Sequence, residues 1–207
     1  MSARVKICGL TSAGDALAAA EAGADALGFM FYAGSPRHVS LPAARDIIRQ
    51  LPPFVARVGV FVNPAEEVVR QAIEVCGLDI LQFHGEEPPE FCARFGLRVV
   101  KAFRIEDASS LRALPAYAVS AWLLDSFVPG RRGGTGARFN WDLAVEAQQL
   151  GRPILLAGGL TPENIADAVG RVRPYAVDVS SGVEAAPGRK DAGKVRAFIA
   201  AAKSVRW

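Results

Sequence analysis

The sequence holds only two histidines and three cysteines in 207 residues, and that scarcity removes several functions at once. Cys8, Cys76 and Cys92 are odd in number and share no CxxC spacing, so neither a disulfide framework nor a thiolate metal site is expected. His38 and His84 show no HxH or HExxH spacing, and no metal is expected on them. Charge of one sign is also in short supply. The 24 basic and 21 acidic residues leave a net charge of +3, scattered along the chain, so no nucleic acid and no anionic membrane surface is expected as partner. No apolar run approaches the roughly 18 residues that span a bilayer. Arg4 and Lys6 interrupt the first apolar stretch before Gly9, which is not the layout of a secretory signal. A reducing cytoplasm is the expected location. No proline-, serine- or charge-rich linker divides the chain, and a single domain over residues 1–207 is expected. At this length a chain buries about 70% of the surface its unfolded form exposes, so it needs no covalent staple.

What the sequence does contain is one pattern, repeated. Short apolar runs read as strands at Arg4–Cys8, Ala26–Phe31, Ala56–Val62, Ile80–His84, Arg98–Arg104, Ala121–Asp125, Pro153–Ala157 and Ala176–Ser180. Amphipathic stretches between them read as helices at Ser12–Ala22, Pro42–Gln50, Pro64–Val75, Pro88–Phe95, Asp107–Leu114, Asn140–Leu150, Pro162–Val172 and Asp191–Ser204. Leu41-Pro42, Asn63-Pro64 and Thr161-Pro162 put proline at or near a first helical position. Strand alternating with helix is the mark of a parallel sheet, and eight such units fit a closed α/β TIM barrel, (β/α)8. A doubly wound open sheet is the alternative.

Polar residues sit at particular places within these strands. Side chains alternate faces, so Val5 and Ile7 share one face while Lys6 and Cys8 share the other. Leu81 and Phe83 likewise oppose Gln82 and His84; Asp125 ends the sixth strand, and Asp178 and Ser180 alternate with Val177 and Val179. With the apolar faces against the helices, the polar ones point into the barrel near the strands' C-terminal ends, where enzymes of this fold place their sites. Taken singly, Cys8 reads as a buried small hydrophobe, Asp125 as a cap or salt-bridge partner, Gln82 and His84 as members of a hydrogen-bond network at the mouth, and Lys6 as the partner of an acidic neighbour.

Two glycine junctions speak to a ligand. Gly158-Gly159 follows the seventh strand and Ser180-Ser181-Gly182 the eighth, the positions where this fold recurrently binds phosphate through backbone amides. Gly133-Gly134-Thr135-Gly136 lacks P-loop spacing and reads as a mobile loop over the site.

Lys6-Ile7-Cys8-Gly9-Leu10-Thr11 resembles the opening motif of the phosphoribosylanthranilate isomerase family of tryptophan biosynthesis. The likeness continues through Ser35-Pro36-Arg37, Val60-Phe61-Val62-Asn63, Leu81-Gln82-Phe83-His84-Gly85, Leu124-Asp125-Ser126, Gly133-Gly134-Thr135-Gly136, Ala157-Gly158-Gly159-Leu160 and Asp178-Val179-Ser180-Ser181-Gly182-Val183-Glu184. Phe83 stands where leucine is expected, on the outward face. The resemblance implies an Amadori rearrangement of N-(5'-phosphoribosyl)anthranilate, an aminoaldose, to the aminoketose 1-(o-carboxyphenylamino)-1-deoxyribulose 5-phosphate.

By the same resemblance Asp125 is the general acid, Cys8 the general base, Arg37 the grip on the anthranilate carboxylate, and Asp178 a neighbour of the ribose hydroxyls. His84 is placed among the substrate-binding residues. No cofactor is implied, and the chain is expected to act as a monomer or homodimer on a small phosphorylated substrate. A free thiol titrates near pH 8.5 and an aspartic acid near 3.9, so the site is expected to favour the thiolate, with help from Lys6, and to disfavour the aspartate. Carboxylate and phosphate anchors are expected on opposite sides of the barrel mouth. Two other activities fit the barrel: a Schiff-base lyase or aldolase using Lys6 or Lys101, and a non-catalytic binder of phosphorylated metabolites.

Overall fold

The computed structural model describes residues 2–126 and 140–207. Eight strands form a closed barrel in sequence order: β1 (Arg4–Cys8), β2 (Ala26–Met30), β3 (Ala56–Phe61), β4 (Ile80–Phe83), β5 (Arg98–Ile105), β6 (Ala121–Ser126), β7 (Ile154–Leu156) and β8 (Ala176–Val179). All neighbouring pairs are parallel, and β1 closes on β8 with Lys6 opposite Asp178. The open-sheet alternative is thereby excluded. The outer layer holds α1 (Ala13–Glu21), α2 (Leu41–Ile48), α3 (Glu66–Cys76), α4 (Pro89–Cys92), a 3-10 helix (Ala108–Ala116), α5 (Trp141–Gln148), α6 (Ile165–Val172) and α7 (Ala192–Ser204). Among the described residues no helix is long and apolar enough to cross a membrane.

Alternation along the strands produces two separate cores. Val5, Ile7, Leu81, Phe83, Trp122, Leu124, Val177 and Val179 face outward and join the main cluster against the helices. The interior holds a smaller cluster of Val100, Ala102, Ala121, Leu123, Leu155, Ala157 and Ala176, and a third of Cys8, Val58 and Val60. Layers of inward side chains fill such a barrel, and here the polar residues replace them toward the C-terminal end.

The first two helices start where a serine side chain caps them. Ser12 Oγ accepts from the Asp15 amide at 3.2 Å, and Ser40 Oγ from that of Ala43 at 3.4 Å. Pro42 lies in the first turn of α2, as expected, but Pro64 and Pro162 precede their helices. Asn63 is left-handed with φ 47° and α3 begins at Glu66, while Asn164 occupies the N-cap position of α6 without a side-chain capping bond. The stretch after Asp107 is a 3-10 helix, Ala108–Ala116, with Pro115 near its end supplying no amide donor. One element was not anticipated. After a 3-10 turn at Ser181–Val183, β9 (Glu184–Ala186) and β10 (Arg189–Lys190) form an antiparallel hairpin around Pro187-Gly188, with Gly188 at φ 79°.

Candidate active site

At the first strand, Lys6 and Cys8 point inward, and a glycine opposite makes room for both. A Cβ on Gly28 would lie 2.8 Å from Cys8 Sγ and 3.1 Å from Lys6 Nζ. Lys6 is 3% exposed and pairs with Asp178 Oδ1 at 2.8 Å, so the ammonium is already compensated. Burial alone would lower its pKa, but Asp178 and Cys8 raise it above the ordinary lysine value. A Schiff-base lysine must shed its proton, and Lys6 is held the other way. Lys101 is also removed from that role. Val100 and Ala102 belong to the barrel interior, so Lys101 faces outward, where it binds Glu87 Oε2 at 3.1 Å and the Gly85 carbonyl at 2.6 Å.

The thiol itself departs from expectation. Burial pushes Cys8 above the ordinary thiol pKa; Lys6 and Lys190 pull it down but do not win, because Asp178 takes much of the Lys6 charge. In the free protein Cys8 is therefore held as the thiol, not as the thiolate.

Across the barrel, Gln82, His84 and Asp125 form one group. Gln82 Nε2 lies 3.1 Å from His84 Nδ1, and with the amide as donor the neutral ring carries its proton on Nε2. That nitrogen stands 3.3 Å from Asp125 Oδ2, off the line of a good hydrogen bond. Asp125 Oδ1 accepts from the Ser126 amide at 2.8 Å, which fixes the carboxyl and leaves Oδ2 toward the cavity side. Gln82 Oε1, His84 Nε2 and Ser180 Oγ are buried polar atoms with no hydrogen-bond partner among the described residues. Such atoms fit a wall built to meet a polar ligand.

The glycine junctions have the geometry of an amide cradle. Gly158 and Gly159 are both left-handed, at φ 82° and 62°. Glycine adopts this backbone without strain, and with no Cβ it lets a ligand approach the main chain closely. Among the described residues, no loop or side-chain hydrogen bond engages the amides of Gly158, Gly159, Ser181 or Gly182. Asn164, which no local motif singles out, holds the first junction: Nδ2 donates to the Gly159 carbonyl at 2.8 Å and Oδ1 accepts from the Thr161 amide at 2.9 Å.

Arg37 is not across the mouth from these amides. A Cβ on Gly9 would touch Arg37 Cδ at 2.6 Å and Ser180 Oγ at 3.0 Å, so Arg37 and the second junction flank the same residue. The expectation of opposed anchors is corrected for the second junction, since Arg37, from the loop after β2, packs on Gly9 beside Ser180. The guanidinium is engaged by Glu184, with Nε to Oε1 and Nη2 to Oε2 at 2.7 Å each.

All ten residues singled out in the sequence, Cys8, Arg37, His84, Asp125, Gly158, Gly159, Asp178, Ser180, Ser181 and Gly182, line one cavity of about 650 Å³. That volume suits a small-molecule ligand. Gly133-Gly134-Thr135-Gly136 lies outside the described residues. Lys190, behind this wall, carries no sequence signal of its own, and Glu184, beside it, ends the motif after β8 without the sequence giving it a role.

Residues 5–201 match the family described as N-(5'-phosphoribosyl)anthranilate isomerase. The protein of that name from Geobacter metallireducens is 58% identical over 201 residues, which is 97% of this chain and 99% of the relative. Its counterpart in Geobacter sulfurreducens is 58% identical over 200 residues, 97% of this chain and 98% of the relative. The crystal structure of phosphoribosyl anthranilate isomerase from Thermotoga maritima superposes with a TM-score of 0.93 at 43% identity, covering 98% of this chain and 100% of the other. A second, solved in complex with reduced 1-(o-carboxyphenylamino)-1-deoxyribulose 5-phosphate, gives 0.89 at 42% identity, with 98% and 100% covered. This chain belongs to the N-(5'-phosphoribosyl)anthranilate isomerase family.

Proposed function

We propose that the chain isomerises N-(5'-phosphoribosyl)anthranilate to 1-(o-carboxyphenylamino)-1-deoxyribulose 5-phosphate, with Asp125 as general acid and Cys8 as general base. The observation that carries this reading is the placement of a carboxyl and a thiol at the ends of β6 and β1, facing one cavity whose rim holds the glycine amides and Arg37. Asp125 Oδ2 protonates the furanose ring oxygen. The C1–O bond then breaks and the anthranilate nitrogen lone pair forms the iminium. Cys8 takes the proton from C2, the electrons of that C–H bond become the C1–C2 double bond, and the iminium becomes a neutral enolamine. Tautomerisation, with a proton added at C1 and the C2 hydroxyl losing its own, gives the ketone.

The environment of each group suits its step. Oδ1 is tied to the Ser126 amide, which leaves Oδ2 to carry the transferable proton beside His84. Cys8 is held neutral by burial, so its own proton must first pass to solvent through the cavity mouth; a cationic iminium beside it lowers the cost of the thiolate that then takes the C2 proton. Asp178 is fixed by Lys6 and offers its second oxygen to the sugar hydroxyls. The amides of Gly158, Gly159, Ser181 and Gly182 receive the phosphate, and Arg37 receives the anthranilate carboxylate through the N–H groups that Glu184 leaves free. The substrate is small and phosphorylated, and the monomer carries every group named here.

Purified protein mixed with freshly prepared substrate, followed through the anthranilate chromophore, tests the activity. Formation of the ketose at enzymatic rates is expected; no acceleration over buffer would overturn it.

A further inference from the structure

Glu184 ends the motif that follows β8, yet the acid–base chemistry uses none of its atoms. Its side chain is 6% exposed, and the carboxylate lies between two cations. Arg37 donates through Nε and Nη2 at 2.7 Å each, Lys190 Nζ donates to Oε1 at 2.9 Å, and the Gly188 amide reaches the same oxygen at 3.3 Å. Lys190 in turn donates to the Ser180 carbonyl at 3.1 Å, and Lys194 Nζ to the Glu184 carbonyl at 3.1 Å. The hairpin of β9 and β10 therefore ties the guanidinium to the turn that offers its amides to phosphate. Burial would raise the Glu184 carboxyl, but Arg37 and Lys190 bring it below the ordinary carboxylate range, so it stays charged at neutral pH.

A guanidinium has five N–H donors in a rigid fork. Glu184 consumes the Nε edge, which leaves the Nη1–Nη2 edge as the one surface able to hold another carboxylate with two parallel bonds. Two cations share one carboxylate, so one positive charge remains for an anionic group. We propose that Glu184 is a specificity-determining positioning residue: by occupying the Nε edge of Arg37 it presents the other edge, oriented and charged, to the carboxylate of the substrate. It does not touch the substrate. The inference rests on the isomerase reading above.

The test compares two substrates, N-(5'-phosphoribosyl)anthranilate and its carboxylate-free counterpart N-(5'-phosphoribosyl)aniline, in protein that keeps the circular dichroism spectrum of the unaltered chain. Glu184→Gln should raise KM for the first by about tenfold to a hundredfold, with kcat within about threefold, and lower kcat/KM for the second by no more than about threefold. Glu184→Asp, which keeps the charge but shortens the reach, should show the same carboxylate-confined loss. In an Arg37→Ala background, Glu184→Gln should cost nothing further, because both changes remove one interaction. Equal losses on both substrates, an unchanged KM, or additive losses in the double variant would overturn the proposal while leaving the isomerase reading intact. No turnover of the first substrate by the unaltered chain would overturn both.

Discussion

Gly158→Ala is the substitution whose outcome the geometry defines most closely. At φ 82° an L-residue adopts a conformation that costs about 1–2 kcal/mol. The new Cβ would also lie 2.5 Å from the Ser126 amide nitrogen, 2.7 Å from Ser126 Oγ and 2.8 Å from Asp125 Oδ1. The first of these is backbone within β6 and cannot swing aside, so overpacking adds about 1–3 kcal/mol. The total is about 2–5 kcal/mol, which for a chain of this length lowers Tm by about 4–20 °C. Because the clash falls on the carboxyl of the proposed acid, turnover should fall as well, by about tenfold to a hundredfold for a displacement approaching 1 Å. Gly151→Ala separates the two contributions. Its φ is 92°, yet nothing lies within 4 Å of a Cβ there, so it should lose only the conformational part and keep its turnover. Urea denaturation and steady-state assays of both variants decide the matter. Equal stability losses at the two glycines, or normal turnover in Gly158→Ala, would refute the claim that this glycine exists to let Asp125 and the amide cradle meet.

Asp125→Asn should fold, since an amide oxygen can still accept from Ser126, but should lose turnover by about 10²–10⁴-fold; near-normal rates would move the acid elsewhere. Lys101→Met should cost about 3–5 kcal/mol, because it strands the buried Glu87 carboxylate, and Glu87→Gln added to it should recover part of that loss in thermal melts. The Glu184 carboxyl is depressed in the folded chain, so its contribution to stability is full above the unfolded value of about 4.3 and disappears as pH falls through the folded one. Urea midpoints should therefore decline on acidification below about pH 5, and less steeply in Glu184→Gln.

Much of this architecture is legible in the sequence because a barrel strand must show its apolar face to the helices. Val5 and Ile7 against Lys6 and Cys8, or Leu81 and Phe83 against Gln82 and His84, announce both the strand and its inward side. The interior charges are harder to read. Lys6 and Cys8 are two residues apart, which suggests an activated thiol, but the sequence does not show that Asp178, from the far end of the chain, neutralises that lysine. Nor does it show that burial outweighs what remains. The same blindness to long-range pairing hides Glu184, whose main partner is 147 residues away. The hairpin carrying it reads as loop, since Glu184-Ala185-Ala186-Pro187-Gly188 has turn residues and no alternating pattern. The position of Arg37 failed for a related reason: the loop after β2 returns toward β1 and β8, and only the packing of Gly9 against it records that.

The general-base assignment of Cys8 is the centre of this account, and reversible thiol blocking tests it most directly. Methyl methanethiosulfonate, with peptide mapping, reports occupancy at each cysteine. Cys76 and Cys92 are buried behind the barrel wall, and burial raises the Cys92 thiol to about 11. Cys8 lines the cavity, and because burial raises its thiol too, its labelling rate should climb with pH through the alkaline range. Activity lost should equal the fraction of Cys8 blocked, product should slow the loss, and dithiothreitol should restore turnover. Full activity with Cys8 blocked would contradict the mechanism.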